Sequence, residues 1–336
     1  MVKTGGAMQK VEALWYVGLG QAEIRRESVL RPVPGQLRIR TLYGGISRGT
    51  ERLIFSGCVP ESEFDRMRAP AMAGTFPFPV KYGYACVGMV EEGPPGWVGK
   101  VVFALHPHQT AFLLGANAAL PLPARVPPAR AVLAANMETA LNAIWDGAPG
   151  PGDRIAVVGA GTVGSLCGYL CGRLPGAEVT LVDVEAGRAE LASALGVRFA
   201  IPEAAPRDCD LVIHASGTAA GLATALALAG DEAAVLELSW YGTGEVAVPL
   251  GGAFHSRRLR LLSSQVGQVA SSHRARWTHR RRLATALGLL ADPALDALLA
   301  PAVAFHHLPA RLPDILGPAS GVLCQLIRYP AADAAR

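Results

Sequence analysis

Six consecutive residues, Gly159, Ala160, Gly161, Thr162, Val163 and Gly164, fit the pattern G-x-G-x-x-G. Each glycine has its own physical reason. Gly159 allows a tight turn, Gly161 lets backbone amides come close to a pyrophosphate, and Gly164 lets the helix pack against the strand. The apolar run 155–158 before them reads as a buried parallel strand. After them, Val163, Leu166, Cys167, Leu170 and Leu174 follow a helical period. A helix starting there would turn unpaired N–H groups and its positive dipole end towards phosphates. A second apolar run, 179–182, ends at Asp183. A carboxylate at that spacing can accept hydrogen bonds from a ribose 2′-hydroxyl. The expected dinucleotide contacts are therefore Gly159, Gly161, Thr162, Val163, Gly164 and Asp183. Asp183 and nearby Glu185 would repel a 2′-phosphate, which favours NAD over NADP. Arg188 is the counterweight, also placed near the cofactor.

An open parallel sheet binds ligands outside the carboxyl ends of its strands. Three segments should end there. Ser216 and Gly217 follow the run 210–214 and suit the cofactor. Trp240 and Tyr241 follow 233–238 and could wall a flat substrate, or simply pack between domains. Gln265, Val266 and Gly267 follow 259–263. In His106, Pro107, His108 the imidazoles should share one face if the segment is extended, because they lie two residues apart. They are candidates for proton transfer. Two basic groups remain: Arg257, Arg258 and Arg260, and a denser run of Arg274, Arg276, Arg280, Arg281 and Arg282 with His273 and His279. They read as solvated faces, or as a clamp for a pyrophosphate or an anionic substrate.

These residues need elements to hold them. At 336 residues there is room for about two domains. Hydrophobic content of 51% against 17% charged describes a well-buried globular chain. A net charge of +4 calls for neither nucleic acid nor a membrane surface. Residues 1–10 lack the apolar core of a signal peptide, and Met8 could be the natural start. The apolar stretch 156–170 is too short to span a bilayer. Cys58, Cys86, Cys167, Cys171, Cys209 and Cys324 are scattered with no C-x-x-C. The expectation is a reduced, cytoplasmic protein with a small-molecule partner, no nucleic acid and no membrane. Over 11–90, short strands alternate with turns, as where Leu37, Ile39 and Thr41 alternate with Arg38 and Arg40. The proline-rich stretch 121–128 reads as a connector, and 129–145 as a helix. Strands and helices then alternate from 154 to 263. The predicted fold class is α/β, a Rossmann doubly wound parallel sheet plus a β-rich domain. The predicted domains are 1–124, 125–265 and a C-terminal segment 266–336, with a helix around 283–290 and a strand at 322–328.

The layout resembles the medium-chain dehydrogenase/reductase superfamily. The carriers are 45–51 (GISRGTE), 83–90 (GYACVGMV), 99–102 (GKVV), Gly152 with Asp153, and the glycine motif with Asp183. The resemblance implies a GroES-like first domain that the C-terminal segment rejoins, a nicotinamide cofactor, and a homodimer formed through the last sheet strand near 259–263. Within the superfamily, 46–53 with Gly57 is similar to the bacteriochlorophyllide a dehydrogenases. The zinc alcohol dehydrogenases of the superfamily bind catalytic metal through Cys, His and a further Cys or Glu. The Cys falls here on Ser47 or Arg48, the His of the family's G-H-E on Tyr84 and its Glu on Ala85. The third-ligand region, near Ala135 to Glu138, offers Glu138 only if the alignment slips, and the cysteine-rich structural zinc lobe is missing. Neutral Ser and Tyr oxygens are poor zinc ligands, so no zinc is expected; a site of His106, His108 and Glu138 is the alternative. The resemblance makes Tyr84 the first candidate to handle a proton and Thr50 the second, ahead of His106 and His108. It puts Arg48 near the cofactor and Ser47 near the substrate. The expected reaction is NAD-dependent interconversion of a secondary alcohol and a ketone. Reduction of an activated double bond and non-catalytic NAD sensing are the alternatives.

Overall fold

Alternation decides the first sheet. Leu37, Ile39 and Thr41 are fully buried, while Arg38 and Arg40 turn outward and pair with Glu91 and Glu92 at 2.7–3.5 Å. A one-residue slip would drive both arginines into the core, so the register is strongly specified. These residues belong to the strand Gln36–Ser47 in a computed structural model that describes residues 8–318 and 320–331. The first seven residues, most of the stretch expected to hold no signal peptide, lie outside the described residues.

Gln36–Ser47 pairs antiparallel with Cys86–Glu92, Ala111–Gly115 and Cys324–Arg328. Leu299–Ala304, Val101–Ala104 and Leu120–Pro121 complete the sheet. The hairpin Gln9–Gly18 and Gln21–Val29 starts a separate four-stranded sheet. This is the expected β-rich unit, and the strand expected at 322–328 does pair with it.

The second sheet is fully parallel. Its spatial order is Arg198–Ala200, Glu178–Val182, Arg154–Val158, Cys209–His214, Ala229–Glu237 and Arg260–Ser263. Counted along the chain that is 3-2-1-4-5-6, the doubly wound order with its switch point at Arg154–Val158. Ile155, Ala156 and Val157 are fully buried, as a central strand covered on both faces requires. The helices Thr162–Cys171, Arg188–Leu195 and Ala219–Leu228 supply the crossovers. The edge strand Arg260–Ser263 is exposed along its length, Leu261 and Leu262 included.

The compact units divide the chain later than composition suggests. One holds the described residues up to Ala135 and from Leu299 on; the other is Asn136–Leu298. The boundaries expected from composition, 124/125 and 265/266, differ for two physical reasons. Helix-forming sequence does not stop at the proline-rich stretch, and the helix Ala134–Gly147 carries the chain across the division. Residues 266–298 stay with the parallel sheet because Arg282 in the helix His279–Leu289 is buried there against Glu138 and Asn142. The short strand Arg198–Ala200 was not expected, being too brief to show a period.

Candidate functional site

The glycine turn has the backbone its residue types require. Gly159 sits at φ +104°, and a Cβ there would lie 2.6 Å from the Ser216 backbone nitrogen. A Cβ on Gly164 would run into the Gly159 carbonyl oxygen, so the helix Thr162–Cys171 can pack this close only with glycine. A Cβ on Gly161, by contrast, would meet open space. The approach a phosphate needs is clear at that position, and Thr162 and Val163 start the helix beside it. Asp183 follows the neighbouring strand. Its Oδ2 accepts the Ala160 N–H at 2.7 Å and its Oδ1 accepts the Glu185 N–H at 3.0 Å. The carboxylate is thus tied to the glycine turn itself, which sequence spacing alone did not reveal. Arg188 pairs with Glu185 at 2.8 Å, so its charge is partly answered within the loop.

Two strand ends next to that turn share one polar network. Fully buried His214 places Nδ1 2.8–2.9 Å from both oxygens of Glu237 and Nε2 2.6 Å from Ser216 Oγ. The Tyr241 hydroxyl donates to Glu237 at 3.0 Å, and the Gly217 N–H donates to Ser239 Oγ at 3.0 Å. Burial pushes the Glu237 carboxyl up, but the His214 and Ser239 contacts outweigh it and hold the group below its ordinary range. Tyr241, expected as a substrate wall, therefore has its hydroxyl engaged at the strand end; burial pushes it up, and Glu237 adds to the shift. Trp240 beside it is half-buried.

In the β-rich unit, Ser47 ends a strand, Thr50 lies in the first turn of the helix Arg48–Phe55, and Tyr84 precedes Cys86–Glu92. The antiparallel pairing brings these distant segments together. Tyr84 donates its hydroxyl to Thr50 Oγ1 at 3.2 Å, and Ser47 is close enough to influence the same phenol. Loss of water pushes Tyr84 up to about 12, with Ser47 and Thr50 opposing the rise and Glu51 adding to it. The phenol is consequently protonated at neutral pH and suited to donating. Glu51 is completely buried and accepts from Tyr16 at 2.6 Å, the Ser47 N–H at 2.8 Å and His108 Nε2 at 2.9 Å. A carboxylate can only accept, so His108 Nε2 carries the proton. The Arg48 guanidinium, expected near the cofactor, donates to the carbonyls of Gly317 at 2.6 Å and Pro318 at 3.2 Å.

The paired histidines do not share a role. His108 is bound to Glu51, whereas His106 stacks on Phe112 with ring centres 3.7 Å apart. Burial lowers His106 to about 3, only partly offset by the Pro107 carbonyl. This imidazole is a core residue held neutral. The sign follows from linkage: the unfolded chain takes up the proton below its ordinary value near 6.5, and the folded chain does not. Its stabilisation is complete above pH ~6.5 and is lost as pH falls towards about 3. Urea unfolding of His106→Gln against the parent should show a flatter stability–pH curve, with the two diverging by on the order of 2–3 kcal/mol between pH ~6.5 and ~4. Parallel curves would refute the assignment.

Most of the basic run is the solvated face expected of it, with Arg274, Arg276, His279, Arg280 and Arg281 exposed, and the exception is buried Arg282. His273 stacks on Trp145 at 4.1 Å, and Arg281 lies over Trp277 at 3.9 Å. Arg274 donates to the Val269 carbonyl at 3.2 Å, and His279 approaches that of Gly267 at 3.1 Å. Arg282 is buried, 3.0 Å from Glu138 and 2.6 Å from Asn142, and also donates to the Val266 and Gln268 carbonyls. Sequence reasoning missed Glu51, Glu237 and Arg282 as organising charges. Glu51 stood inside the GISRGTE stretch. For Glu237 the one available signal was a charge in an otherwise apolar segment, whereas Arg282 was hidden among the other arginines of its run.

No protein-family pattern and no curated protein matches the chain in sequence. Solved structures match it in shape. L-idonate 5-dehydrogenase from Escherichia coli superposes with a TM-score of 0.79 at 15% identity, covering 97% of this chain and 100% of its own. An E. coli alcohol dehydrogenase complexed with NADH gives 0.75 at 17%, covering 95% and 99%. A protein from Sinorhizobium meliloti bound to NADP, provisionally assigned as a zinc-binding dehydrogenase, gives 0.75 at 19%, again covering 95% and 99%. The chain has the fold of these dehydrogenases. In a dehydrogenase fold built for zinc, a thiolate, imidazole or carboxylate set would be needed. The positions that the resemblance assigns to the Cys and His ligands offer Ser47 or Arg48 and Tyr84, whose neutral or cationic side chains do not fit the ion, and the third-ligand region offers only Glu138. Glu138, the acid of the alternative set, is bonded to Arg282. Among the described residues no three His, Cys, Asp or Glu side chains converge to hold a metal, and no helix is long and apolar enough to cross a membrane.

Proposed function

We propose that the chain is a nicotinamide-dependent oxidoreductase that interconverts a secondary alcohol and a ketone without zinc. The observation that carries this reading is the glycine turn: close-packed at Gly159 and Gly164, open at Gly161, and tied through Ala160 to Asp183. The nicotinamide, when bound, supplies or accepts the hydride. The chain's own residues do the rest. The turn and the first N–H groups of the helix Thr162–Cys171 bind the pyrophosphate. Asp183 accepts from the ribose hydroxyl, and a 2′-phosphate beside Asp183 and Glu185 is disfavoured, so NAD is the cofactor. Tyr84, bonded to Thr50, gives the proton to the developing alkoxide in reduction and takes it back in oxidation. Trp240 and Tyr241 at the end of the strand Ala229–Glu237 make a flat secondary alcohol the first class to test. The high value of Tyr84 also suits reduction of an activated double bond, which needs only hydride and a weak acid; a panel of alcohols and enones separates the two.

Asp183→Ala tests the cofactor assignment. A charged hydrogen bond lost here should weaken NADH binding by about 10- to 100-fold and narrow the preference over NADPH. Tryptophan-fluorescence titration with both nucleotides measures it. Stronger binding of NADPH than NADH by the parent protein would sink the NAD assignment. Metal analysis of protein purified without added zinc tests the other half, and one tightly held zinc per chain would overturn it.

A further inference from the structure

The network at the ends of Cys209–His214 and Ala229–Glu237 contains a serine that dehydrogenase chemistry does not use as a nucleophile. Glu237 accepts at both oxygens from His214 Nδ1, so that nitrogen carries the imidazole proton. In the neutral imidazole Nε2 then keeps its lone pair and accepts from the Ser216 hydroxyl 2.6 Å away. Glu237 is itself fixed by the Ser239 N–H at 2.7 Å and the Tyr241 hydroxyl at 3.0 Å. A hydroxyl is thus polarised by a base that a buttressed carboxylate orients, which is the arrangement that activates serine in acyl transfer.

The surroundings of Ser216 suit that chemistry. The residue is half-buried on a strand-to-helix turn. Thr218 caps the helix Ala219–Leu228 by accepting the Gly221 N–H at 3.0 Å. The positive end of this ten-residue helix therefore follows directly after the serine, where negative charge would develop. Gly221 is required beneath it: a Cβ there would run into Ser216 Oγ and lie 2.8 Å from His214 Nε2. Ser216 Oγ also meets Thr218 Oγ1 at 3.0 Å and the Thr218 N–H at 3.3 Å. Both can donate to it, leaving its own proton directed to His214.

We propose that Ser216 is a second reactive centre, a nucleophile activated by His214 and Glu237 that takes an acyl group from a small activated ester. The Ser216 Oγ–carbonyl carbon bond forms and the bond to the leaving alkoxide breaks. The serine proton passes to His214 Nε2 and then to the alkoxide. Water, losing a proton to His214, next attacks the acyl carbon. The carbon–Oγ bond breaks, Ser216 recovers its proton, and the carboxylic acid leaves.

The test uses the intact chain with p-nitrophenyl acetate and, separately, a fluorophosphonate, read by p-nitrophenol release and by peptide mass spectrometry. One phosphonyl group per chain on Ser216 is expected. Ser216→Ala should lose the adduct and slow p-nitrophenol release at least about tenfold, and Glu237→Gln should slow labelling by a comparable factor. Labelling of the parent needs no variant to fold. Absence of a Ser216 adduct in the parent, or an adduct at another residue only, overturns the proposal. The outcome is separate from the oxidoreductase reading, since neither reagent contains a nicotinamide or needs one.

Discussion

Replacing Tyr84 by phenylalanine should lower kcat for alcohol–ketone interconversion by about 10²- to 10⁴-fold, the usual worth of a positioned proton donor. KM should change little, because the phenyl ring is retained and only the hydroxyl is lost. The direction of pH dependence follows from burial, which pushes the phenol up to about 12. The neutral form prevails at neutral pH, so reduction should proceed there without an alkaline requirement. Oxidation needs the phenolate and should keep accelerating as pH rises towards that value. Thr50→Ala removes the 3.2 Å partner of the phenol and should give an intermediate loss, with Thr50→Ser close to the parent. Steady-state rates in both directions across pH check the set. A Tyr84→Phe enzyme of parental kcat, or parental pH profiles in that variant, would remove Tyr84 from the mechanism.

Arg282→Met should be the most destabilising single change among the polar residues described, at about 3–5 kcal/mol. The guanidinium is 1% exposed and spans Glu138, Asn142 and two carbonyls. Removing it leaves Glu138 buried without its cation. Burial already raises that carboxyl, and Arg282 is what pulls it back. The double variant Arg282→Met, Glu138→Gln should recover part of the loss because the stranded charge is gone. Urea unfolding of the parent, both single variants and the double variant gives the coupling. If Arg282→Met costs under about 1 kcal/mol, the pair is not an organising contact of this unit.

The two sites differ in how far the sequence reveals them. Tyr84 and Thr50 stand out in short segments of sequence, and pairing within the β-rich unit does bring them into contact. His106 and His108 stand out as a pair from their spacing, yet one stacks on Phe112 and the other serves Glu51. The period of a strand says which side a residue leaves from. It does not say which distant side chain will meet it there. Arg48 gives the same lesson, since its partners lie 269 and 270 positions away.

What the chain determined by itself was everything enforced by local physics. Gly159 had to be glycine because its φ is positive and its neighbour is a backbone. The runs before and after the turn announced strand and helix by period. Leu37, Ile39 and Thr41 specified their own register. Tertiary structure alone decided the partners of the buried charges. Glu51 with Tyr16 and His108, Glu237 with His214, and Arg282 with Glu138 join positions from 23 to 144 residues apart. Such contacts leave no periodic trace in the sequence, because a buried charge is satisfied by whichever opposite charge or donor the folded core brings within reach.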